Sequence, residues 1–295
     1  MQKLPFKALG LAMIIGLTTT SCGHDPAESE EKEKTDSLVV AVDSSQVTEE
    51  DNSQDFTLPS PLQVATIFKK SGLKFVPGIT NAPANAMKYN GSDFKRAVNL
   101  GIYSSDLAYT MLNKQFEESK NYLKACKDIG SQLGLNRAFE TNNLAGRFDK
   151  NIGKEDSLLK IISDLQMQTD ILLEENKQKH ITAIAFAGAW IESIYIASKV
   201  YSTDKTKNIS VSLMEQFTIA DKITRALKAC ETKSPECKGL NADIQSIISL
   251  FKNCEAVKAV ENSEDDADYS KVKISTGELD AITARVSEVR TKLIN

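Results

Sequence analysis

The chain from residue 57 onward predicts an all-α fold, a multi-helix bundle of about eight or nine helices. Three observations carry this. Apolar residues recur at three- and four-residue spacing through nearly every segment after Ser92. The breaks between segments hold helix-ending residues such as Gly134 and Gly153, or turn formers such as "ETKSPE" between Cys230 and Cys237. No segment makes a convincing strand.

The first predicted helix lies in "LPSPLQVATIFKKSG". Ser60 is suited to the N-cap, Pro61 to the first helical position, Gln63 to a capping box and Gly72 to the stop. A loop from Phe75 to Gly91 follows, long enough to be a binding loop. In residues 92–115 the positions Phe94, Ala97, Val98, Gly101, Ala108 and Leu112 form an apolar face. Asn99, Asp106 and Asn113 lie seven apart and read as the solvent side. Helices are then predicted over 116–134, 137–153 and 154–179, the last with acids at its start and lysines at its end, as the helix dipole favours.

Residues 180–202, "HITAIAFAGAWIESIYIASKVYS", are the most apolar stretch beyond the N-terminal leader. Ala185, Ala189, Ser193 and Ala197 stand four apart, so one side is nearly smooth and a neighbouring backbone can approach closely. Trp190 reads as a core anchor. Glu192 is out of place, because an unpaired carboxylate among apolar neighbours is costly, and Lys199 on the same side is the nearest partner in sequence. A membrane-spanning reading of 181–201 fails on Glu192. Three further helices are predicted over 209–230, 240–260 and 275–295. In the last, Ser275 and Glu278 form a capping box, and Leu279, Ile282, Val286, Val289 and Leu293 form a docking stripe.

"LGIYSSDLAY" and "AGAWIESIYI" echo one another, each with a glycine, an aromatic two residues later and polar residues after it. The echo raises a pairing of Asp106 with Glu192 as two carboxylates that divide acid and base roles. The solvent reading of Asp106 places them in different environments.

The N-terminus sets the location. "MQKLPFKALGLAMIIGLTTTSC" has lysines at positions 3 and 7, an apolar run from Ala8 to Leu17, then small hydroxylated residues: the layout of a secretory signal, too short in its apolar part to span a bilayer. Cys22 follows Ser21 at the cleavage point. This resembles the lipobox of bacterial lipoproteins, with Thr19 and Thr20 standing where Leu and Ala or Ser are usual. The resemblance implies cleavage before Cys22, diacylglycerol on its sulfur, fatty acyl chains such as palmitate, and a membrane partner through that lipid. Acidic residues in "GHDPAESEE" resemble the surface-export signals of one group of Gram-negative lipoproteins. An outer-membrane location follows, with both the periplasmic and the surface-facing side open. The domain plan is a signal peptide over 1–21, a lipid-anchored, flexible acidic tether over 22–56 and one all-α domain over 57–295.

Composition bounds the job. With 41% hydrophobic and 26% charged residues and a net charge of -4, the chain has no electrostatic footprint for nucleic acid. Outside the tether's His24 there is one histidine, His180, so no His-based metal triad or ordinary Ser-His-Asp arrangement can be drawn without it. No metal or cofactor is indicated. Cys230 and Cys237 flank a turn and are the geometrically cheapest candidate for a disulfide in an exported compartment. The first reading is a non-enzymatic binding or structural lipoprotein, with an envelope protein or component as partner. The alternative is an envelope small-ligand receptor or enzyme with its site along the 180–202 helix, where Glu192 and Trp190 are the candidate ligand contacts.

Overall fold

The computed structural model describes Gly72 and residues 74–204, 209–261 and 272–295. The leader, Cys22, the tether, the helix expected from Pro61 and most of the acidic loop "ENSEDDADYS" lie outside the described residues. Within them the fold is all-α, without a strand.

A 3-10 helix, Pro83–Lys88, precedes α1 (Asp93–Leu112), α2 (Phe116–Gln132), α3 (Asn136–Glu140), α4 (Leu144–Lys150) and α5 (Glu155–Glu175). Then come α6 (Lys179–Thr203), α7 (Ser210–Cys230), α8 (Glu236–Lys252), α9 (Glu255–Glu261) and α10 (Thr276–Ile294). Ser92 caps α1, and the Ser275–Glu278 capping box opens α10 as predicted. Two predicted helices are each split. The 137–153 segment breaks at Asn143, whose φ of 49° ends one turn while its side chain accepts from the Gly146 N–H and starts the next. The 240–260 segment breaks at Asn253 and Cys254, and its first part begins earlier than expected, at Glu236.

Helix α6 is the spine. Over its 25 residues nearly every side is buried, and Trp190 is fully enclosed, its indole N–H donating to the Gln216 carbonyl at 3.2 Å. By length and hydropathy it could cross a membrane, but 83% of its most apolar window is buried inside the domain, so its apolar surface faces protein. Helix α1 runs parallel beside it: Gly101 faces Ala185 and Ala189, Ser105 bonds Ser193 at 2.9 Å, and Tyr109 packs with Ile196 and Val200. Two neighbouring helices can run parallel only if the chain returns between them, and α2–α5 make that return.

The contact is close because glycines face backbone from both sides. A Cβ on Gly101 would fall on the Ala185 carbonyl, and one on Gly188 on the Val98 carbonyl. The smooth side predicted for the 180–202 helix is therefore the seat of α1, and the two echoed glycines mark a reciprocal contact. Helix α10 closes the other side with its predicted stripe, all five of whose residues are buried. Arg285 and Lys292 both bind Asp243 on α8, at 2.9 and 2.7 Å.

Candidate functional site

Polar side chains converge where α1, α6 and α10 meet. Glu192 is fully buried, and Arg290 of α10 grips both of its oxygens, Nε to Oε2 at 2.6 Å and Nη2 to Oε1 at 2.8 Å. The partner is Arg290, not Lys199, whose ammonium lies 5.4 Å from the Tyr195 ring centre. The same ring lies 4.0 Å from the Arg290 guanidinium, a cation–π contact. Burial opposes the charge on Arg290, but the Glu192 carboxylate outweighs it and raises the guanidinium's pKa.

Asp106 corrects the sequence reading. It is fully buried, as is Asn99, and Asn113 is half-buried, so the row expected to face solvent faces the interior. The structure brings Asp106 and Glu192 together. Burial first, then the Glu192 charge, push the Asp106 pKa well above its ordinary value, against the opposing pull of Arg290. Asp106 Oδ2 accepts the Asn81 N–H at 3.1 Å, while Oδ1 is buried and has no hydrogen-bond partner among the described residues. The cluster thus joins two carboxyl groups and an arginine, in surroundings that raise the Asp106 pKa.

The surrounding groups fasten the end of α10 and the segment before α1 onto this cluster. Asn99 Nδ2 donates to the Leu293 carbonyl at 3.1 Å and Tyr89 Oη to the Ile294 carbonyl at 3.1 Å, satisfying two carbonyls at the end of α10. The segment read as a binding loop is strapped down. Val76 N–H donates to Tyr109 Oη at 2.8 Å, Tyr103 Oη to the Ala82 carbonyl at 2.9 Å and Tyr122 Oη to Thr80 Oγ1 at 2.6 Å.

Arg290 occupies both oxygens of Glu192, and the Asn81 N–H holds one oxygen of Asp106, so both carboxyls are engaged within the domain. Trp190, the other candidate contact, is committed to the core through Gln216 and an edge-on contact with Phe217. A pH prediction follows from Asp106. Its folded pKa is raised, so its stabilising contribution is complete below its ordinary value of 3.8 and is lost as pH rises through the folded pKa. Asp106→Asn, which keeps the shape and is always neutral, is expected to stay within about 1 kcal/mol of the parent at low pH. It should fall away less as pH rises. Unfolding free energy measured across pH checks this, and parallel profiles for the two proteins would contradict it.

A second feature lies toward the N-terminal part of α6. A cavity of about 100 Å³ is lined by Leu100 and Leu107 of α1, Phe139 of α3, Ile162 and Leu165 of α5 and Phe186 of α6. Asp170 and Gln166 of α5 also line it. Neither Glu192 nor Trp190 reaches it.

The remaining candidates are quiet. Cys126, Cys230, Cys237 and Cys254 are buried, unbridged thiols, and Cys237 adds to the effect of burial in raising Cys230 to about 11, as expected of neighbours. His180 is half-buried, its pKa lowered by burial and then by Lys233. Among the described residues no group of three or more His, Cys, Asp and Glu could hold a metal ion. No family model, curated protein or solved structure matches the chain.

Proposed function

We propose that the protein is an exported, lipid-anchored helical module of the cell envelope that acts by binding rather than by catalysis. The observation that supports it most is the change at Cys22, from an apolar leader to an acidic run at a single thiol. Two or three acyl chains on one residue anchor stably where a single chain is marginal, at roughly 0.8 kcal/mol per buried CH2. The tether would hold the domain off the membrane, with an envelope protein as its partner and the outer membrane as its site. The same compartment would let Cys230 and Cys237 bridge, which a non-reducing peptide map reads.

Cys22→Ala is expected to move the protein from the membrane to the soluble fraction and to abolish labelling by a fatty acid analogue. Continued membrane pelleting without label would sink the anchor.

The cavity favours a second reading, a small-ligand receptor whose site lies along the 180–202 helix at Phe186 instead of at Glu192.

A further inference from the structure

We propose that the cavity between α1, α5 and α6 binds a small apolar amine, with its ring or short chain inside and its ammonium on Asp170. The inference rests on the small-ligand reading and names its ligand class. Size comes first: about 100 Å³ suits a single ring or a short chain, since an engineered apolar cavity of about 150 Å³ takes up benzene. The lining is also less polar than its composition. Of the three hydroxyls on the lining, Ser104 Oγ donates to the Leu100 carbonyl at 2.7 Å and Thr169 Oγ1 to the Leu165 carbonyl at 3.0 Å, so these two spend their protons on their own helices, and Thr182 is the third.

Charge selects the head group. Asp170 is the one ionisable carboxylate on the lining and stands at the mouth, open to solvent. Met167 and Ile171, exposed at 54% and 41%, lie near it in sequence on α5. Despite that exposure, the crowded surroundings push its pKa up to about 6, against the hydrogen bond from Gln166. A carboxylate with no cation partner among the described residues, set beside an apolar hole, is complementary to an ammonium on an apolar body.

The test titrates the full chain with benzylamine, benzyl alcohol and toluene, followed by methyl NMR. Benzylamine is expected to shift the methyls of Leu100, Leu165 and Ile162, and to bind about tenfold more tightly than the alcohol, as hydrogen bonds to charged groups do. Asp170→Asn should remove that advantage and leave the fold intact, because the side chain is exposed. Equal binding of amine and alcohol, unchanged in Asp170→Asn, would overturn the amine assignment while leaving the cavity as a site. Absence of methyl shifts with all three probes would overturn both.

Discussion

Replacing Arg290 with methionine is expected to destabilise the fold by about 3–5 kcal/mol, because it strands the Glu192 carboxylate where water does not reach. The loss exceeds what the pair contributes, since removing one partner exposes the desolvation cost of the other. Two consequences separate this from a packing effect. Glu192→Gln added to Arg290→Met should recover part of the stability, as an amide carries no charge to strand. The single variant should also take up a proton at Glu192 and so lose less stability in mildly acidic solution than at neutral pH. Urea midpoints of the three proteins check both. A loss below about 1 kcal/mol would mean that the pair is solvated.

Gly101→Ala carries the second large effect. The added methyl would coincide with the Ala185 carbonyl, and backbone cannot step aside as a side chain can. Helices α1 and α6 must separate along their length, giving up contacts at Ser105, Ser193 and the small residues between them. Overpacking usually costs 1–3 kcal/mol, and a backbone collision belongs at or above about 3. Gly239→Ala is the control. Space around Gly239 is open and it lies inside α8, so the same change there should stabilise by about 0.5–1 kcal/mol. Thermal unfolding of both variants would show opposite signs. A tolerated Gly101→Ala would contradict the close parallel pairing.

Much of the fold was legible because periodicity and caps are local. The stripe of α10, its capping box and the smooth side of α6 needed only neighbours within a few turns. The splits were not, because Asn143 can continue a helix or turn left-handed, and tertiary packing of Leu144 and Phe148 decides which. Asp106 was misplaced by the assumption that a polar row faces water. A better signal was present: between Arg96 and Lys114 it is the sole charged residue, whereas a solvated helix face ordinarily carries lysine and glutamate. Arg290 as the partner of Glu192 was beyond local reading, since 98 residues separate them. Even so, an arginine four residues after Val286, next to Val289 in a docking stripe, points toward a buried anion. The cavity left no trace in sequence, because it is formed by the arrangement of five helices rather than by any run of residues.

The anchor is the claim on which the functional account stands, and the intact mass of the native chain tests it most directly. A polypeptide that begins at Cys22 and carries the added mass of a diacylglycerol is the result expected. A chain that retains its leader, or starts there with an unmodified thiol, would contradict it.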